Sequence, residues 1–237
     1  PICIVNNWSK NFFHISELSS ALATAEMQIG DRKKYRKLFK DSVILPNDNA
    51  LAQIEWASSK DSALSIDLDK LQLTLMNEAR ARDHFYKQQW KEALIYLEQW
   101  QIDQPFSKTP LLMRAWITSS VFHNHKEAAE ISKRGLDPHH NDPQFFNNIA
   151  YYYALQNLCT DALHYLNKID HSKCDSTLEL CIIATEGLIE YRLGHIVSGR
   201  TLYAQAIEKA EQLKNNELYT LAKLNQIREE VIYSRTA

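Results

Sequence analysis

Histidines are the side chains whose type and spacing could first suggest chemistry in this chain. Two clusters stand out, His123 with His125 and His139 with His140. If one helix of about 12 residues separates them, they lie roughly 18 Å apart, on opposite edges of that helix. Two histidines alone are fewer ligands than a structural zinc site requires. We therefore predict no metal site and interpret these histidines as solvated loop residues.

The sequence also lacks the short motifs of common catalytic and cofactor sites. It has no glycine-rich phosphate loop, no nucleophile elbow and no His-Glu-x-x-His. Serine, histidine and aspartate residues are plentiful, but their order along the chain does not bring three of them together. We predict a protein without enzymatic activity and without a cofactor.

A basic segment, "DRKKYRKLFK" at 31–40, holds six basic residues. Tyr35, Leu38 and Phe39 mark its apolar stripe. The side chains that could contact nucleic acid or phosphate are Arg32, Lys33, Arg36, Lys37 and Lys40. A solvated helix surface is the alternative. A pI near 6.6 and a net charge of −2 disfavour a dedicated nucleic-acid binder.

Helices must position these side chains, because turn-forming residues are scarce. The 237 residues include Gly 5 and Pro 6, so long uninterrupted helices and an all-α fold are expected. The longest apolar runs are far shorter than the roughly 18 residues of a membrane span, which predicts a soluble protein. Four cysteines without close pairs favour a reducing, cytoplasmic location.

A repeat of 34 to 35 residues organises the chain. Ala93, Ala128 and Ala162 each open an apolar stripe of helical period, and an upstream helical segment precedes each of them. Thr109 before Pro110 and Asp142 before Pro143 predict helix starts, and Ser176 with Glu179 predicts a capping box; these pairs mark the limits of the units.

This pattern resembles the tetratricopeptide repeat family, whose unit is a 34-residue antiparallel helix pair. In the third repeat, the first-helix packing positions of the family are occupied by Phe146, Ile149, Ala150 and Tyr153, and those of the second helix by Ala162, Leu166 and Ile169. The first repeat matches through Ala81, Trp90, Ala93, Leu97 and Pro105, and the fourth repeat has Gly187, Gly194, Gly199 and Ala206 at positions where small residues are usual. The second repeat matches less well, with Trp116 where a small residue is usual.

The resemblance implies a right-handed superhelical solenoid of antiparallel helix pairs with a C-terminal capping helix. The expected segments are an extended lead-in at 1–14, a degenerate N-terminal helix pair plus junction at 15–68, a regular array at 69–213 and the capping helix at 214–237. The four repeats of the array, numbered in chain order, are 74–107, 109–142, 143–176 and 180–213.

The resemblance also implies a concave groove, lined by the first helix of each unit, that binds a protein or peptide partner. The inward positions are Glu78, Arg82, Tyr86, Arg114, Ile117, Asn147, Asn148, Tyr151, Leu188 and Arg192. Of the three consecutive tyrosines, we expect Tyr151 to face this groove, Tyr152 to face the neighbouring unit or the rim, and Tyr153 to lie in the core.

Two other functions remain open. The array could be the regulatory or sensor arm of a larger signalling or defence protein, or the basic helix at 31–40 could contact nucleic acid. The apolar surface at either end of a stacked array also leaves homo-oligomerisation open.

Overall fold

The computed structural model describes residues 15–44, 46–65 and 76–236. These residues form twelve α-helices and no β-strand, which confirms the all-α prediction. The predicted lead-in at 1–14, the end of the predicted junction at 66–68 and the start of the predicted array at 69–75 lie outside the described residues. The chain divides into two compact units, residues 1–107 and 108–237. Because the predicted array spans this division, its continuity across residue 108 stays a prediction.

The first unit contains five helices. They are α1 (Ile15–Ile29), α2 (Arg32–Ser42), α3 (Asp48–Ser58), α4 (Asn77–Tyr86) and α5 (Trp90–Asp103). Helix α1 packs on α2 and α3, and Tyr35, Phe39 and Ile54 are buried between them. Asn47 caps α3 by accepting a hydrogen bond from the amide of Ala50, 2.9 Å away. Helices α4 and α5 form the first regular pair.

The second unit contains three further pairs and one long helix. The helices are α6 (Thr109–Ser120), α7 (His125–Gly135), α8 (Pro143–Leu155), α9 (Cys159–Leu166), α10 (Ser176–Arg192), α11 (Ile196–Gln212) and α12 (Asn216–Thr236). Consecutive helices pack against each other, and α8 also packs against α10, the first helix of the following pair. The buried residues therefore form one layer after another along the chain.

A buried small residue marks the crossing of the two helices in every pair. The crossing residues are Ala81 with Ala93, Ala115 with Ala128, Ala150 with Ala162, and Gly187 with Gly199. A Cβ atom at Gly199 would lie 2.5 Å from a ring carbon of Tyr191, so α10 and α11 approach closely only because this side chain is absent. The small residues place the large apolar side chains on either side of each crossing.

The first helix of each pair ends in a turn that contains one residue with a left-handed backbone. These residues are Gln88, His123, Asn157 and Gly194, with φ angles of 57°, 53°, 62° and 86°. In three of the turns the next amide reaches back five residues to a helix carbonyl, as from Leu158 to Tyr153. This bond ends the helix and reverses the chain.

The second regular pair differs, because its turn is one residue longer. The amide of Asn124 reaches back six residues, to the carbonyl of Thr118. The crossing residue of α6 is consequently Ala115, which is fully buried. The comparison with the repeat pattern had placed Trp116 at this position. Trp116 is 41% exposed. The extra residue shifts the inward face of α6 by one position relative to the sequence alignment.

Two of the three predicted helix starts have caps that differ from the prediction. Asp142 caps α8 as expected, accepting hydrogen bonds from the amides of Gln144 and Phe145. Thr109 is instead the first residue of α6 and makes no cap bond. The cap of α10 is Asp175, whose carboxylate accepts from the amide of Leu178, so the predicted Ser176 capping box is wrong by one residue.

Candidate functional site

The predicted groove residues are best compared at one repeated position, the residue that directly follows the crossing residue of each first helix. We call this the inner position; it is occupied by Arg82, Trp116, Tyr151 and Leu188. Trp116 and Tyr151 are partly exposed there. Leu188 is fully buried, so it offers no contact area to a partner. Two aromatic side chains thus occupy equivalent places on α6 and α8.

Ile117 was predicted for the groove, but the structure buries it completely. The longer turn explains the error, because it aligns Ile117 with Tyr152, which is also buried against α6 and α7. Tyr152 therefore faces the neighbouring pair, one of the two predicted alternatives. Tyr153, expected in the core, is half-buried and stacks on Tyr165 with the ring centroids 5.7 Å apart.

Helix α8 also carries the two asparagines of the prediction. Asn147 is only 5% exposed, whereas Asn148 is half-exposed and lies nearly one turn before Tyr151. Arg114, on α6, is half-buried and belongs to the same unit. Asn148 and Tyr151 thus both retain exposed surface and hydrogen-bonding groups.

Helix α12 reaches residues that were predicted to bind a partner. Arg192 of α10 lies 2.8 Å from the carboxylate of Glu229 and donates a hydrogen bond to Asn157. Arg228 also donates to Glu229. The Glu229 side chain is 1% exposed, so these two arginines compensate for a buried negative charge.

Arg228 extends this cluster to Tyr151. Burial lowers the pKa of Arg228, but Tyr151 and Glu229 raise it, and the net shift is upward. Burial, the neighbouring His123 and the two arginines lower the pKa of His125, which favours its neutral imidazole. Part of the predicted binding surface is therefore occupied by the chain's own α12.

A second set of contacts holds α12 more superficially. Arg200 of α11 donates two hydrogen bonds to Glu230, at 2.6 and 2.7 Å, and the hydroxyl of Tyr191 donates a third. Arg200 and Tyr191 lower the pKa of Glu230 to about 2. Burial and Glu230 raise the pKa of Tyr191 to about 12. This cluster anchors α12 to both α10 and α11.

The groove residues predicted in the first unit lie on α4. Glu78 and Arg82 form an ion pair at 2.8 Å, and the guanidinium of Arg82 lies over the ring of Trp100, 5.2 Å from its centroid. Tyr86 is 78% exposed. The inner position of α4 therefore presents a charged side chain rather than an aromatic one.

The basic helix α2 uses one of its five candidate side chains internally. Arg36 donates hydrogen bonds to both carboxylate oxygens of Asp61, and the hydroxyl of Tyr35 donates to the same group. These bonds hold the pKa of Asp61 well below its usual range. Arg32, Lys33, Lys37 and Lys40 are exposed. The structure thus leaves four of the five predicted side chains available to a phosphate.

The histidines of the two clusters differ in their contacts and in their exposure to solvent. His125 lies 2.9 Å from the hydroxyl of Ser119, and its ring centroid is 6.4 Å from that of His123. His139 stacks on Phe145, and His140 is exposed. The described part of the chain has no group of three or more histidine, cysteine, aspartate or glutamate residues that could hold a metal ion.

The contacts that α12 makes with the predicted site residues were not predicted, although the spacing of apolar and polar residues in α12 indicates them. Leu218, Ala222, Asn225 and Glu229 recur at helical spacing and form the inward face of α12, so this period places Glu229 inside. A buried glutamate requires a cation, and Arg192 was already a predicted site residue.

Comparison with known proteins identifies no relative: no family model, curated protein or solved structure matches the chain. None of the helices that the structure describes is long and apolar enough to cross a membrane.

Proposed function

We propose that this chain is a non-catalytic helical-repeat scaffold of tetratricopeptide type, which binds a protein or peptide segment on the first helices of its pairs. The observation that carries the proposal is the recurrence of an aromatic side chain at the inner position, Trp116 on α6 and Tyr151 on α8. Tryptophan and tyrosine are enriched among the residues that dominate protein interfaces, because they contribute large contact area with few rotatable bonds.

Neighbouring polar side chains suit an extended peptide. Arg114 and Asn148 are partly exposed on the same two helices. An asparagine amide can bond both donors and acceptors of a peptide backbone, and an arginine can bond its carboxylates. A right-handed superhelix of these pairs would align the two helices along one concave surface.

Site-specific photo-cross-linking tests this proposal. A photoreactive phenylalanine at position 151 should cross-link a polypeptide in extract of the native host cells. The same amino acid at position 106 is the control, because Phe106 is 80% exposed and lies in a loop outside the helix pairs. A supporting result is one protein that is captured only at position 151 and is lost when Trp116→Ala and Asn148→Ala are added.

The double variant must keep the melting temperature and helical circular dichroism of the parent, so that lost binding is not lost folding. Equal cross-linking at positions 106 and 151 would contradict the proposal, as would retention of the captured protein by the double variant.

A second candidate function is nucleic-acid contact through α2, favoured by the four exposed basic side chains Arg32, Lys33, Lys37 and Lys40. A fluorescent single-stranded oligonucleotide should then bind at low ionic strength and dissociate as salt is added. Lys33→Glu with Lys37→Glu should abolish binding. Absence of binding at low salt would exclude this function.

A further inference from the structure

A groove lies in the second unit, between α9 and α11, and α10 forms its floor. We call it the α9–α11 groove. Its volume is about 540 Å³, and it is lined by Leu163, Glu186, Ile189, Glu190, Val197, Ser198, Thr201 and Leu202. It lies on the side of α10 opposite Leu188 and Arg192, because Glu186 and Glu190 are one turn apart on the other face. It is therefore separate from the inner position.

The walls of the groove are apolar and partly open. Leu163 is 38% exposed on one side and Val197 is 77% exposed on the other, while Ile189 is buried in the floor. Leucine and valine side chains left exposed around a concavity are typical of surfaces that another molecule covers.

Two carboxylates, those of Glu186 and Glu190, also line the groove. Glu186 is half-buried, and none of the described residues donates a hydrogen bond to it or forms an ion pair with it. Burial raises the pKa of Glu186, His171 lowers it, and Glu179 and Glu190 raise it, so that the net shift is upward. Glu190 differs, because its carboxylate lies 3.0 Å from Nδ1 of His195. Glu186 is thus a carboxylate in an apolar groove that makes no hydrogen bond or ion pair with the described residues.

This combination fits a long cationic side chain. Lysine and arginine have an apolar stem and a charged end, and the stem commonly lies along apolar surface while the charge reaches a polar group. Leu163 and Val197 would contact the stem, and Glu186 would accept hydrogen bonds from the ammonium or guanidinium group. No lysine or arginine lines the groove, so nothing in it repels such a ligand.

We propose that the α9–α11 groove binds a peptide segment of a partner protein through a lysine or arginine side chain flanked by an apolar residue. The cation neutralises Glu186, and the apolar neighbour covers Val197. This site goes beyond the function proposed above and uses none of its residues, so either proposal can fail without the other.

Selection from a random peptide library displayed on phage tests the site. The library is panned in parallel against the unmodified chain, against Glu186→Gln and against Glu211→Gln. Glu211 is an exposed glutamate near the end of α11, so its substitution makes the same change of charge outside the groove. Glutamine keeps the shape of the side chain, and melting temperatures verify that all three proteins are folded.

The expected result is enrichment of peptides with lysine or arginine next to an apolar residue on the unmodified chain and on Glu211→Gln. Synthetic peptides from that set should bind at least tenfold more weakly to Glu186→Gln, and replacing their cation by norleucine should weaken binding to the same extent. Absence of cationic enrichment would overturn the proposal. Enrichment of apolar or acidic peptides would also overturn it, as would equal binding by Glu186→Gln.

Discussion

Glu229 and Glu230 are neighbours on α12, and each binds arginine, but their surroundings differ. The Glu229 side chain is 1% exposed and lies between Arg192 and Arg228. The Glu230 side chain is 32% exposed and lies against Arg200, which is itself 51% exposed. One pair is part of the interior of the second unit, and the other is on its surface.

This difference predicts that burial, more than the number of hydrogen bonds, determines what each ion pair contributes to stability. Water and salt screen the Glu230 pair, so its loss is partly compensated by solvation. Removing the Glu229 charge leaves Arg192, whose side chain is 14% exposed, with little access to water, and its desolvation is no longer compensated.

Glu229→Gln should have the largest effect. The substitution keeps the size of the side chain and removes the negative charge between Arg192 and Arg228, so the free energy of unfolding should fall by about 3–5 kcal/mol. Urea denaturation followed by circular dichroism measures it. A loss no greater than that of Glu230→Gln would show that α12 moves enough to solvate both arginines.

Arg192→Met should have an intermediate effect. Methionine retains much of the apolar stem, and Glu229 keeps its bond to Arg228, so we expect a loss of about 1.5–3 kcal/mol, typical of hydrogen bonds to charged groups. The same denaturation experiment measures it. Asn157→Ala, which removes the other partner of Arg192, serves as the control and should cost less.

Glu230→Gln should have a small effect, about 0–1 kcal/mol, because the glutamine still accepts the hydrogen bond from Tyr191 and exposed pairs contribute little. Added salt should reduce the difference between this variant and the parent further. A loss that approaches that of Glu229→Gln would contradict the comparison.

The smallest effect is the pH dependence of the Glu230 pair. Its pKa is lowered to about 2 in the folded chain, so the stabilisation is complete above the ordinary glutamate pKa of about 4.3 and is lost as the pH falls towards 2. The difference in unfolding free energy between the parent and Glu230→Gln should therefore shrink over this range. Denaturation at a series of pH values measures it, and a difference that grows on acidification would contradict the assignment.

The sequence predicted much of the helical order of the second unit, because small residues and capping residues recur at regular spacing. Helices α6 and α8 begin at Thr109 and Pro143, and α12 lies within the segment 214–237, whose role as a capping helix stays a prediction. The sequence did not predict the longer turn at His123, because His123, Asn157 and Gln88 take a left-handed backbone without being glycine. Because this turn is one residue longer than the others, the inner position of α6 is Trp116 and not the predicted Ile117.

The candidate sites were less predictable, because they depend on residues far apart in the chain. Tyr151 and Asn148 follow from helical periodicity within one helix. The bond between Arg192 and Glu229 joins two residues that are 37 positions apart in the sequence, and only the packing of α12 on α10 brings them together. The α9–α11 groove likewise combines three helices, so no local pattern in the sequence signals it.

The left-handed residues at the turns also make the chain's length adjustable. His123 and Asn157 both have positive φ angles, 53° and 62°, and the polypeptide between them contains one second helix and one first helix. Joining His123 directly to Leu158 would connect α6 to α9 through a turn of a kind the chain already forms. The second unit could therefore be shortened or lengthened by splicing whole modules at these turns, which offers a route to synthetic scaffolds of chosen span.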